Sequence, residues 1–274
     1  MSRSDFTNEH AVVLFSGGFD STLVLANLVK NASDTDTIYA VTLEHNITGT
    51  QKLRREYESQ LLILRELRKQ FPKVKIEHER IAIESNWTVG DVSNSKGLAQ
   101  PIFWICNLIP FLENNDAVYF GYNLVDQARV HLKDIEDLFN IACRFQDNKN
   151  IKPRFPISYL TKVDVLRELI TYYPYLVDYC ITCESINYDG TNVCGSCMPC
   201  THLKEALFSL SLDNDTCGYK AREMLKERFY CTIDVSYLND IKDTDSCERG
   251  DAISVDCSNV CDVKESYNDN SSNC

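Results

Sequence analysis

The sequence predicts an α/β fold built on a parallel sheet with helices on both faces. Short, continuous apolar runs alternate with longer stretches whose apolar residues recur at helical spacing. That is the pattern of strands buried beneath crossover helices. A glycine-containing turn, residues 16–21, joins the first run to the first helical stretch. Such turns are common between strand and helix in α/β proteins.

Residues 11–15 (AVVLF) read as a strand covered on both faces. A helix is expected over residues 21–30 and a second strand over residues 38–43 (IYAVTL). Leu53, Tyr57, Leu61, Leu64, Leu67 and Phe71 line one face of a long amphipathic helix. Residues 74–83 alternate apolar and polar side chains and predict a third strand. Residues 102–112 read as a helix that Pro110 bends or ends. Residues 117–121 (AVYFG) predict a fourth strand. Ile135, Leu138, Phe139 and Ala142 mark a further helical face, and Val163, Leu166, Leu169 and Ile170 the next. Composition shifts near Ser211, a helix is expected over residues 219–229, and from Asn239 the chain is rich in Asp, Ser and Asn. A segment so poor in large apolar residues buries too little to offset its ordering entropy. The expected organisation is an α/β domain over 1–178, a cysteine segment packed on it over 179–212, a helical extension over 213–238 and an acidic, disordered tail over 239–274.

The formal net charge is -12 and the sequence pI is about 4.9. Phosphate backbones are held by clustered Lys and Arg, so this balance argues against nucleic acid as the main partner and for a small molecule. No apolar run approaches the roughly 20 residues of a membrane span, and the opening MSRSDFTNEH lacks a signal-peptide core. A cytosolic protein is expected. In that reducing setting thirteen cysteines point to metal ligands and free thiols rather than disulfides.

The turn reads Ser16-Gly17-Gly18-Phe19-Asp20-Ser21. Its glycines let the backbone approach a ligand closely, and the serines add hydroxyls. The following helix start points free N–H groups at the same place, so the segment predicts an anion cradle. It lacks the lysine of the other common phosphate loop. Farther along stand Cys183 and then Cys194-Gly195-Ser196-Cys197-Met198-Pro199-Cys200. Thiolates this close together grip one tetrahedral ion, and a closed shell of Cys183, Cys194, Cys197 and Cys200 predicts a structural zinc site. Cys180 is the alternative fourth ligand, and His202 a weaker one. Free buried thiols or a Cys197–Cys200 redox pair is the bland alternative.

The loop resembles the SGGxDS signature of the PP-loop ATP pyrophosphatases, which have an adenine nucleotide alpha-hydrolase-like fold. Loop and cysteine pattern together resemble the 7-cyano-7-deazaguanine synthase family over roughly residues 11–210. Gln51 and Glu56 match the spacing of that family's stretch after the second strand, with Lys52 and Leu53 in place of Arg and His. Gly121, Asn123 and Asp126 resemble its Gly-x-Asn-x-x-Asp, and Leu160-Thr161-Lys162 its Leu-Thr-Lys helix start. The resemblance implies ATP bound with magnesium, with Ser16, Gly17, Gly18, Asp20 and Ser21 around the phosphates. Asp20 would help position the metal, and the main chain of Val41 and Leu43 would hold adenine. It further implies Lys162 as a phosphate-neutralising residue, Asp126 as a substrate or magnesium contact, and a homodimer. The bland reading of Lys162 is a solvated helix-start lysine.

The implied reaction, on the way to a queuosine precursor, adenylates 7-carboxy-7-deazaguanine with loss of pyrophosphate. Ammonia then displaces AMP to leave an amide, and a second ATP takes that amide to the nitrile. Two segments depart from the family, at Gln100-Pro101-Ile102-Phe103-Trp104 and at Gln127-Ala128-Arg129-Val130-His131. The alternatives are a PP-loop enzyme adenylating a different carboxylate or tRNA, and a catalytically silent nucleotide-binding module.

Overall fold

The computed structural model describes residues 10–45, 50–83, 89–90, 98–147, 149–185 and 193–229. Strands β1 (Ala11–Leu14), β2 (Thr37–His45), β3 (Lys75–Ile83), β4 (Val89–Gly90), β5 (Leu98–Ala99), β6 (Ala117–Tyr119) and β7 (Lys152–Arg154) follow in chain order. Five of them form one sheet in the order β3-β2-β1-β6-β7, and every pairing is parallel. Among the described residues the short β4 and β5 pair with each other in a separate two-stranded sheet.

The helices are α1 (Phe19–Asn31), α2 (Thr50–Gln70), α3 (Gln100–Leu108), α4 (Leu132–Phe145), α5 (Lys162–Tyr172), α6 (Pro174–Val177), α7 (Met198–Ser211) and α8 (Thr216–Phe229). Alternation along β1 divides the core. Ala11, Val13 and Phe15 face one cluster with apolar residues of α1, α2, α5, α7 and α8. Val12 faces a second cluster with Phe103, Ile105, Ile135 and Phe139 from α3 and α4. Both faces of the central strand are thus covered, as the unbroken apolar run requires.

Differences from the sequence expectation have local causes. The stretch over residues 102–112, which Pro110 was expected to bend or end, starts as a helix at Gln100, ends at Leu108 and turns through a 3-10 segment, Ile109–Phe111, which carries Pro110 near its start. Strand β7 reads KPR and shows no apolar alternation. It lies at the sheet edge, where a residue without an N–H is tolerated. Helix α7 starts directly at the cysteine knuckle, with Cys197 as N-cap and Pro199 in its first turn. The expected tail, 239–274, lies outside the described residues, as does the end of the 213–238 extension. Among the described residues no helix is long and apolar enough to cross a membrane.

Candidate nucleotide and metal site

From β1 the chain builds outward through β2 to β3, then returns to place β6 on the other side of β1. Loops leaving β1 and β6 therefore diverge and leave a crevice at the carboxyl ends of these strands, where open α/β sheets bind ligands. A cavity of about 540 Å³ opens there, within the range of small-molecule sites.

The loop after β1 forms its floor. Gly17 has φ +80, a left-handed conformation that costs a side-chain-bearing residue energy. Gly18 is the N-cap of α1 and supplies no side-chain cap, so the first N–H groups of a 13-residue helix remain available to an anion. The serines are tied to the same turn. The Ser16 and Ser21 hydroxyls lie 3.1 Å apart, Ser21 Oγ donates to the Gly18 carbonyl at 3.3 Å, and Gly18 N donates to Ser16 Oγ at 3.3 Å.

Asp20 reaches into the crevice from the first turn of α1. Lys162 Nζ donates to its Oδ2 at 2.5 Å and Asn123 Nδ2 to its Oδ1 at 2.9 Å. Lys162 is no solvated lysine, since its side chain is 11% exposed. A capping box places it: Thr161 and Asp164 satisfy each other's N–H groups at the start of α5. Asn123 is buried at 2% exposure and organises the loop after β6. Its Oδ1 accepts from Val125 N, and its own N donates to Asp126 Oδ2 at 2.6 Å. Burial pushes the Asp126 carboxyl up to about 6, and the nearby Asp20 charge adds to the rise.

Val41 and Leu43 line the same cavity at the end of β2. Phe15 N donates to the Val41 carbonyl at 2.8 Å and Thr42 Oγ1 to the Phe15 carbonyl at 2.7 Å, which locks the loop's entry to the second strand. The cavity also takes in Lys52 and Glu56 from the stretch after the second strand, Trp104 from a departing segment, His202, which the sequence offers only as an alternative metal ligand, and Tyr122, which no motif marks. Lys52 and Glu56 pair at 3.5 Å one turn apart on α2, and burial raises the Glu56 carboxyl despite that partner. The Tyr122 hydroxyl is buried without a hydrogen-bond partner among the described residues, and its ionisation is pushed up by burial. Both segments that depart from the deazaguanine pattern reach this wall, through Pro101 and Trp104 and through Gln127 and Ala128.

The sulfur atoms of Cys183, Cys194, Cys197 and Cys200 all lie within 4.8 Å of one another, and none is in a disulfide. Cys180 stands outside the group, with its thiol turned to the Leu176 carbonyl at 3.5 Å. Burial works against the Cys194 thiolate, yet donors including Cys197 N at 3.4 Å and the Ser196 hydroxyl at 3.7 Å bring its pKa down to about 6. Burial pushes the Cys200 thiol up. Four clustered free thiols are a donor set for a metal centre. Cys183 and, from the first turn of α7, Met198 and Pro199 also line the cavity, so the sulfur cluster adjoins the crevice through Cys183.

No family model and no curated protein matches the chain. Among solved structures it is similar to the U34-tRNA thiolase NcsA from Methanococcus maripaludis with its 4Fe-4S cluster, at 13% identity over 82% of this chain and 73% of that one, with a TM-score of 0.37. The chemistry of the site rests on this chain's own residues. The zinc expected from the sequence is corrected here: four clustered thiols fit an iron–sulfur cluster as well as a zinc ion. Four thiolates are the donor set of such a cluster as much as of a single ion, so spacing alone does not specify zinc. The chain is a parallel α/β protein with a cluster of four cysteines able to bind a metal.

Proposed function

We propose that the crevice is an ATP pyrophosphatase site that transfers AMP to an acceptor oxygen. The observation that carries this is the uncapped start of α1 behind a left-handed Gly17, facing a cavity that also holds the Asp20–Lys162 pair. Backbone N–H groups with no side-chain cap, together with a cation held next to them, favour the charge that develops on a departing pyrophosphate.

An acceptor oxygen attacks the α-phosphorus in line. A new P–O bond forms, the α–β bridging bond breaks, and pyrophosphate leaves with that electron pair. Ser16, Gly17, Gly18 and Ser21 hold the leaving group, and Lys162 neutralises charge on it. Asn123 and Lys162 keep the Asp20 carboxylate fixed at the edge of the phosphate site, where magnesium chelated to ATP would meet it. Asp126, with its raised carboxyl, faces the acceptor.

The acceptor class is a small carboxylate or an RNA nucleobase. Conversion of 7-carboxy-7-deazaguanine to its nitrile is the finer reading that the motifs support. The replaced side chains of Pro101, Trp104 and Gln127 line the very cavity where that acid would sit, which favours a different acceptor. The cysteine cluster is read as a metal centre with a complete thiolate shell held by Cys183, Cys194, Cys197 and Cys200. Such a centre, when bound, would cross-link the segment before α7 to its first turn.

Product analysis with ATP labelled at the α-phosphate tests the proposal. AMP and pyrophosphate in equal amounts, rather than ADP and phosphate, are expected. Parallel reactions with 7-carboxy-7-deazaguanine plus ammonium, with a panel of other carboxylates, and with tRNA identify the acceptor. Formation of ADP, or failure to bind ATP at all, would overturn the assignment.

A further inference from the structure

Ser59 lies in the middle of α2, buried at 6% exposure on a face it shares with Ile63 and Leu67. A polar group in that position needs hydrogen-bond partners to be tolerated. Its hydroxyl has two acceptors within reach: the Tyr179 carbonyl at 2.7 Å and the Gly17 carbonyl at 3.1 Å. Gly17 O also accepts from Ile181 N at 3.0 Å. The Gly17 carbonyl is therefore held from behind by a helix and by the segment that leads into Cys183.

A trans peptide is planar, and its C=O and N–H point in opposite directions. Fixing the Gly17 carbonyl inward, toward α2, necessarily turns the Gly18 N–H outward, toward the crevice. There it now rests on Ser16 Oγ at the long distance of 3.3 Å, a weak contact that an anion displaces. A side chain at Gly17 is excluded by the same arrangement, because a Cβ would stand 2.7 Å from Ser59 Oγ.

We infer that Ser59 is a positioning residue for pyrophosphate recognition: by holding the Gly17 carbonyl away from the ligand, it aims the Gly18 N–H at the terminal phosphates of ATP. This rests on the proposed use of the loop for ATP and adds a residue that no motif marks. Ser59 touches no substrate and acts only through the peptide between Gly17 and Gly18.

The test is calorimetric titration of the full chain with pyrophosphate, ATP and AMP, for wild type, Ser59→Ala and Ser59→Thr, with thermal unfolding of each. Loss of one charge-assisted hydrogen bond predicts that Ser59→Ala binds pyrophosphate and ATP about tenfold more weakly. AMP lacks the terminal phosphates, so its affinity is expected to stay unchanged. Ser59→Thr keeps the hydroxyl and is expected to retain wild-type affinity. Equal weakening toward AMP and pyrophosphate, no weakening, or a folded Ser59→Thr as weak as Ser59→Ala would overturn the inference. If wild type itself binds neither ATP nor pyrophosphate, the proposed function falls instead.

Discussion

Gly121 follows β6 and packs against the first turn of α1, and replacing it by alanine tests how tightly the loop is clamped. A Cβ at Gly121 would lie 2.9 Å from Ser21 N and 3.1 Å from both Asp20 C and Ser21 Cα. All three are backbone atoms, so no rotamer change relieves the overlap. The start of α1 must retreat by about half an ångström to reach ordinary contact, and overpacking of this kind costs about 1–3 kcal/mol. For a chain of this size that corresponds to a fall in Tm of roughly 3–10 °C. The retreat also carries the N–H groups of Asp20 and Ser21 away from the phosphate position. Each N–H displaced from a phosphate oxygen forfeits a hydrogen bond worth about 1.5–3 kcal/mol of binding. Differential scanning calorimetry with and without ATP measures both effects: Gly121→Ala is expected to melt lower and to lose most of the ATP-induced shift. A variant with wild-type melting and a full ATP shift would show that α1 is not held against the loop after β6 as described.

Lys162→Met leaves Asp20 without its cation and removes a phosphate-facing charge. ATP turnover is expected to fall about 100-fold or more, and unchanged turnover would remove Lys162 from the site. Asp126 gives a pH signature. Its carboxyl is raised to about 6 in the fold from 3.8, so the folded state binds its proton more tightly than the unfolded chain. The stability from that proton is complete below about pH 4 and is lost as pH rises through about 6. Asp126→Asn is expected to flatten this window, gaining on the order of 2 kcal/mol over wild type by pH 7, as urea titrations from pH 4 to 8 would show. For the metal centre, Cys183→Ser is expected to lose bound metal while Cys180→Ser keeps it. Elemental analysis and acid-labile sulfide assay of the two proteins decide this, and equal metal content in both would exclude Cys183 as a ligand.

Much of the sheet was legible because its central strands are continuous apolar runs and its helices repeat at helical spacing. β7 was not: a three-residue KPR segment earns its place from the backbone groups of β6 and has no patterned side chains to announce it. The loop over residues 16–21 was legible as a motif because its residues are contiguous. Its supports are not local. Asn123 meets Asp20 across 103 positions, and Ser59 reaches Tyr179 across 120, so both contacts exist only once the sheet has assembled. Ser59 reads in sequence as an ordinary polar residue of an amphipathic helix. The grouping of the four cysteines was readable from spacing, but spacing names candidate donors rather than the group they would hold, and the zinc assignment failed there. Trp104 and Tyr122 come to the cavity from the opposite side of the sheet's centre, a juxtaposition set by strand order and invisible to local pattern.

The central claim is that the loop between β1 and α1 holds pyrophosphate while an acceptor receives AMP. Exchange of labelled pyrophosphate into ATP, measured with purified protein, magnesium and each candidate acceptor, tests it most directly. The account predicts acceptor-dependent exchange that Lys162→Met abolishes. Acceptor turnover with ADP as the product and no label entering ATP would contradict it.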